Sequence, residues 1–420
     1  MKRILTLCLV LVSIATFAGA TIKVETETWF DANTLQYSEY SPTYNSSFFN
    51  PGGQFFLGRA YLTISGDLGT DYWGDPIKER VTFDFANAST NNPAGIIKYA
   101  YFDYDLLRIS YDSVDATGQS NTTKLGAIVF DCGLQPVYFG NIAFWNYALP
   151  IKDATELYTK VQYPGDNPGN GMLSSTNYTG VKPTASADFG FGLSGKLLPI
   201  PNMTSYLIFY SLQMLDGDGY TRYFNNNGFP ENNPVGQTND NNFAYQASAW
   251  LCPLDGTMIG GTYRVYSYDD NAIGGKINNT ETSFDVMLSA KNVMGIPVDF
   301  LVQYINETST NNWAAPNNGS VSAAAYDYIG DVFSVSLGYG FFDWAVEPMI
   351  RYDYFNPNAS QSVADVSSSI LYVGGSIKLD ANNLTMKPMV GFYLTQNGQP
   401  SSDWLVWLEF AYKLNFTIWQ

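Results

Sequence analysis

Apolar side chains recur at every second position through most of the chain, in runs of about ten residues. Successive side chains of a strand point to opposite faces, so this period predicts β-strands, and the 3.6-residue repeat of an amphipathic helix is almost absent. The C-terminal run LEFAYKLNFTIWQ is the clearest. Leu408, Phe410, Tyr412, Leu414, Phe416 and Ile418 fall on one face; Glu409, Ala411, Lys413, Asn415 and Thr417 fall on the other. Val81, Phe83 and Phe85 oppose Arg80, Thr82 and Asp84 in the same way, and Leu107, Ile109 and Tyr111 oppose Arg108, Ser110 and Asp112. A soluble sandwich alternates too, so the period alone does not decide the architecture.

The connections discriminate better. Strands are predicted at 185–197, 204–213, 243–252, 257–268, 281–291, 298–306, 329–339, 344–355, 368–379, 385–396 and 403–419. Short links (LPIPNM, PLDG, NVMGIP, GYGFF and the turn at Asp380–Asn383) alternate with long ones (214–242, 269–280, 307–328, 356–367) rich in Asn, Ser, Gly and Asp. An up-and-down barrel in an outer membrane has this order, with tight turns on one rim and long loops on the other; a Greek-key sandwich has no reason to keep it. The N-terminal half is less regular, with candidates at 22–32, 54–66, 79–86, 96–104, 106–113, 123–131 and near 135–141. Together these give eighteen strands, or sixteen if neighbouring candidates merge. The expectation is an all-β, transmembrane, antiparallel up-and-down barrel of about 16–18 strands, formed by residues 21–420 as one domain.

Charges sharpen the picture. Arg59, Arg80, Arg108, Lys196, Arg264, Lys291, Arg351, Lys378 and Lys413 all alternate with the apolar face, as do Asp84, Glu347, Asp353 and Glu409. A Lys or Arg facing lipid at mid-bilayer costs about 2–4 kcal/mol, so a barrel turns these residues to its lumen. In a soluble protein the same residues form a solvated outer face, and the aromatic face becomes the core. Pore-lining candidates are therefore Arg59, Arg80, Asp84, Arg108, Lys196, Arg264, Lys291, Glu347, Arg351, Asp353, Lys378 and Lys413. Tyr352, Tyr354, Trp344 and Phe416 near strand ends are placed for an interfacial girdle. The long 142–184 segment carries Lys152, Asp153, Glu156 and Lys160, a charge cluster suited either to a constriction folded into the lumen or to an outer lid.

Met1–Ala20 has a basic start (Lys2, Arg3), an apolar stretch from Ile4 to Phe17 and an Ala18-Gly19-Ala20 ending, which reads as a cleaved export signal. Its removal leaves 19 basic against 38 acidic residues. That balance, with no Lys/Arg-rich stretch, argues against nucleic acid as a partner. The chain has no histidine, which excludes Ser-His-Asp and Cys-His nucleophiles and His-ligated zinc. Cys132 and Cys252 remain after cleavage, bridged or as free thiols. Three motifs lead nowhere. Asp216-Gly217-Asp218-Gly219 starts like a calcium loop but has Tyr220 and Thr221 where that pattern needs an oxygen ligand and Gly. The pair Asp269-Asp270 is what an acid-rich loop produces by chance, and the Asn-X-Ser/Thr triplets follow from the abundance of Asn. No catalytic residue, metal site or cofactor is expected.

The signal, the loop alternation and the terminal FAYKLNFTIW strand together resemble outer-membrane porins of Gram-negative-type bacteria, whose aromatic-rich closing strand is read by the assembly machinery. GQFFLGRAYLTISGDLG (53–69), RVTFDF (80–85) and VEPMIRYDYFNP (346–357) are similar to segments of the phosphate-selective porin superfamily. Arg59 and Arg351 match arginines of those segments, and only a lumenal position is carried over to them. The dense basic constriction of that superfamily is not reproduced. The resemblance implies a passive, water-filled channel for small hydrophilic solutes or ions, in the cell outer membrane, with lipid around it, homotrimers as one assembly and no enzymatic activity. The rivals are a surface-exposed barrel adhesin or structural protein, and a secreted soluble carbohydrate-binding β-protein.

Overall fold

The computed structural model describes residues 22–36, 54–85, 96–114, 119–139, 187–199, 206–216, 243–272, 275–313, 325–356, 367–380, 383–396 and 399–419. Sixteen long strands run in chain order: β1 Ile22–Gln36, β2 Gln54–Thr70, β3 Pro76–Asp84, β4 Ile96–Val114, β5 Ser120–Pro136 and β6 Ala187–Pro199. These are followed by β7 Tyr206–Leu215, β8 Ala244–Leu251, β9 Thr257–Ala272, β10 Gly275–Lys291 and β11 Val298–Trp313. The last five are β12 Ala325–Tyr339, β13 Val346–Asn356, β14 Ser368–Lys378, β15 Leu384–Gln396 and β16 Trp404–Trp419. Each pairs antiparallel with the next, and β16 pairs with β1 from Trp404↔Gln36 to Trp419↔Ile22. The sheet is a closed barrel. A two-residue bridge, Gln399–Pro400, extends β15 beyond the wall.

The ends of the strands define two rims. One carries the links 71–75, 115–119, 200–205, 252–256, 292–297, 340–345 and 379–383, each five or six residues long. The other carries longer connections, including 37–53, 137–186 and 216–243. The predicted alternation holds around the ring except at 273–274, where β9 and β10 run on as a hairpin almost to its tip.

Burial shows which face is which. In β8 it alternates strictly: Tyr245, Ala247, Ala249 and Leu251 are exposed, whereas Ala244, Gln246, Ser248 and Trp250 are buried. The same holds elsewhere, with Phe191 47%, Leu212 53%, Tyr263 53% and Val286 54% exposed on the outside. Inside, Asp188, Ser211, Asp285 and Asp353 are buried. An apolar outer face running round a closed ring is the reverse of a soluble sandwich, where that face is the core, and it fits hydrocarbon as the surrounding solvent.

Sixteen strands rather than eighteen follow from a bulge in β4 and from the end of β5 at Pro136. The candidates at 96–104 and 106–113 are one strand, β4, whose register slips at Asp105/Leu107 and again at Ile109/Ser110. An extra residue in one strand leaves its partner one short and resets the alternation. Leu106 and Leu107 are consequently both exposed although adjacent, which reads in sequence as a strand break. The candidate at 123–131 lies within β5, and of the one near 135–141 only Gln135 and Pro136 belong to that strand, Val137–Phe139 leaving the wall. A bulge between Thr82 and Phe83 makes Lys98 the extra residue of β4 and buries it, to 3% exposure.

Candidate functional site

The inner wall differs from one end to the other. Near the short-turn rim several of its basic residues sit in ion pairs. Lys413 Nζ lies 2.6 Å from Glu25 Oε1, and Lys124 Nζ lies 2.9 Å from Asp75 and 3.0 Å from Asp105. Arg108 approaches Asp75 at 3.7 Å. The Lys124 ammonium, hydrogen-bonded to Asp75 and outweighing its partial desolvation, holds that carboxyl below its ordinary 3.8. Carboxylate oxygens of Asp71, Asp75 and Asp105 lie within 4.8 Å of one another, and the ammonium bridges two of the three.

Lys291 forms the centre of a second group, 2.6 Å from Asp299, 2.9 Å from Glu347 and 4.5 Å below the Trp344 ring centroid. Trp344 gets there through a turn in which Phe342, Asp343 and Trp344 are all left-handed (φ 52°, 54° and 64°). Gly340 lies beneath its indole, where any Cβ would collide. The ring thus caps the inner ion group and does not join the outer girdle expected of it.

Farther up the wall lie two buried pairs. Arg351 donates through Nε to Asp353 Oδ2 at 3.0 Å, its Nη2 lies 3.0 Å from the same oxygen, and its guanidinium is 4.8 Å from the Tyr372 ring. Lys387 Nζ donates to Glu409 Oε1 at 2.6 Å, across a register position the two share.

The other side of the lumen carries an apolar patch. Trp250, Met287 and Leu301 form a buried cluster with Tyr138, Phe209 and Met258. Tyr138 belongs to the Val137–Phe139 segment that leaves β5, yet its contacts are with β7, β8 and β9. Its N–H donates to Gln213 Oε1 at 3.1 Å. Its carbonyl accepts from Ser248 Oγ at 2.6 Å and Thr262 Oγ1 at 3.3 Å. Gln213 also donates to Pro136 O at 2.8 Å, and Gln246 donates to Gln213 at 2.9 Å. The segment therefore turns across the inner wall and is pinned there by polar side chains over an aromatic bed, in which the Tyr138 and Phe209 rings lie 5.5 Å apart.

Of the pore-lining candidates, Asp84, Arg264, Glu347, Arg351 and Asp353 are buried on the inner wall. Arg80 is half-buried there, its Nε donating to Thr82 at 3.2 Å and its guanidinium over Tyr99. Arg108, Lys291 and Lys413 belong to the ion groups at the short-turn mouth. Lys196 and Lys378 are exposed at the short-turn ends of β6 and β14. Arg59 lies in β2, with its side chain outside the described ones. Lys152, Asp153, Glu156 and Lys160 lie outside the described residues, as do Gly217–Gly219 and the export segment. Cys132 and Cys252 are free thiols. Sequence reasoning missed Lys387, although it alternates with Met386 and Pro388. It also missed Lys98, which only the bulge reveals, and the inward Trp250, which sits at the position in its strand's period where a polar residue was expected.

No family model and no curated protein matches the chain. Among solved structures, the outer membrane protein OmpT of Vibrio cholerae aligns with TM-score 0.53 at 11% identity, over 94% of this chain and 98% of that one. The outer membrane channel DcaP of Acinetobacter baumannii gives 0.53 at 12%, with the same coverage of both chains. The fold is that of the outer-membrane porins and channels. A trimer form of the Vibrio protein aligns at 0.50 and 12% identity, covering 94% of this chain and all of that one. At such identities the likeness of these porin-type barrels is one of fold.

Proposed function

We propose that the chain is an outer-membrane porin, a non-enzymatic, passive, water-filled channel for small hydrophilic solutes or ions, exported by its cleaved N-terminal segment. The carrying observation is the closed sixteen-strand ring with its apolar side outward and its charged side inward. Barrels of this size enclose an aqueous space unless something fills it. The inward turn at Val137–Phe139 supports a constriction built by the segment that follows, with Lys152, Asp153, Glu156 and Lys160 as its charges and the inner-wall residues named above as the pore lining. Assembly as a homotrimer in lipid belongs to the same proposal and rests on the trimer form of the Vibrio barrel. The test is planar-bilayer conductance of the detergent-purified protein: stable stepwise openings are expected, and silence from a correctly folded, heat-modifiable barrel overturns the channel.

One observation favours a second reading. The buried Trp250–Met287–Leu301 cluster fills part of the lumen, as it would in a plugged barrel whose long loops act at the cell surface. Such a barrel gives no openings in the same experiment.

A further inference from the structure

The channel reading leaves open which ions the lumen admits, and the axial distribution of charge bears on that. In the short-turn half most of the inward basic side chains are matched, Lys413 with Glu25, Lys124 with Asp75 and Asp105, Lys291 with Asp299 and Glu347, Lys387 with Glu409, while Lys196 and Lys378 stand exposed at its edge. At mid-height Arg351 is matched by Asp353. The long-loop half is different. Asp84 is the last residue of β3 before the long rim, Asp188 the second of β6 after it, and Asp403 directly precedes β16. Asp131 and Glu307 lie in the outer parts of β5 and β11. All five are buried on the inner wall. Against these five stand two buried bases, Lys98 and Arg264, the latter level with Glu307 through their shared partner Ser283.

We propose that the lumen selects cations over anions, and that the filter lies in the long-loop half, set by Asp84, Asp131, Asp188, Glu307 and Asp403. The argument is one of net charge, so it holds whatever hydrogen bonds these carboxylates make. The sequence of the long loops does not reverse it. Across 37–53, 86–95, 140–186, 217–242, 314–324 and 357–366 there are eight acidic side chains and four basic ones, and 140–186 alone is balanced, three against three. A narrow lumen with low-dielectric walls focuses such an excess, concentrating cations and depleting anions. Inorganic cations and small organic ammonium ions share the required chemistry.

The inference rests on the channel reading, and its test separates the two. Reversal potentials are measured across a potassium chloride gradient for the full-length protein, after heat-modifiability has confirmed folding of each variant. Potassium is expected to be favoured over chloride. The preference should be stronger in dilute than in molar salt, because the screening length shrinks from about 10 Å at 0.1 M to about 3 Å at 1 M. The combined substitution Asp84→Asn, Asp188→Asn and Glu307→Gln should reduce the preference, and Lys98→Gln should raise it. Openings that favour chloride, or a preference untouched by both variants, overturn the inference while leaving the channel intact. Absence of openings removes the channel itself.

Discussion

The two sides of the lumen solve one problem by opposite means. On the β7–β11 side, Trp250, Met287 and Leu301 pack against Tyr138 and Phe209, with polar groups pinning the crossing segment and Arg264, Asp285 and Glu307 buried farther along the same wall. Where β13–β16 face inward, the wall is held by Arg351–Asp353 and Lys387–Glu409, buried charges in direct contact. The apolar side gains from removing surface from water and tolerates small shifts. The ionic side gains little over an apolar replacement but loses heavily if one partner goes, because the other stays buried and uncompensated. Packing sets the stability of the first side, and matching sets that of the second.

That contrast can be broken in a defined order, read by urea unfolding of the barrel in lipid or detergent. Trp250→Ala should cost about 3–5 kcal/mol, the range for deleting a buried large aromatic. It should also raise single-channel conductance by freeing the strap at Tyr138; unchanged conductance would show that the strap holds without its aromatic bed. Glu409→Gln, which strands the Lys387 ammonium, should destabilise by a similar amount, about 3–5 kcal/mol. The double variant Lys387→Met/Glu409→Leu should recover most of that loss; if it does not, the pair contributes more than matching. Ser248→Ala removes one hydrogen bond to the Tyr138 carbonyl and should cost about 1 kcal/mol. The half-exposed pair Lys413–Glu25 should contribute less than about 1 kcal/mol and fade with salt, as exposed pairs do.

Acid gives the smallest and most local effect. Asp75 has its folded pKa depressed, so its share of stability is complete above its ordinary 3.8 and is lost as pH falls below that through the folded value. Unfolding midpoints of the wild type and Asp75→Asn, compared from pH 6 downward, should converge in acid. A constant gap would rule out the Lys124 contact as its source.

Much of this was legible in the sequence, for physical reasons. Strands β6–β16 mostly alternate and their short-rim turns are five or six residues long, so period and spacing located all of them, although β10 begins six residues earlier and β11 ends seven later than expected. In the N-terminal half, β4 has extra residues at Lys98 and Leu106, and strict period two breaks it at Asp105. The site divides the same way. Inward charges such as Asp84, Arg264 and Arg351 were readable because charge avoids lipid. Trp250 was not, because an aromatic side chain suits a lipid face and a packed interior equally well. The crossing at Tyr138 depends on β7–β9 being brought beside the end of β5, which no local pattern encodes.

The pairing of β1 with β16 also has a consequence for how the molecule comes into being. Ile22 has to find Trp419, so the seam joins parts of the chain separated by nearly its whole length. Before the seam forms, β1 and β16 both offer a full row of unpaired backbone groups, an edge that another chain can occupy as readily as the correct strand. Pairings so distant in sequence form slowly. The completed cylinder has no such edges, so the time between synthesis and closure is when this protein is most exposed to aggregation, and a folding partner that shields those two strands would act at the point of greatest risk.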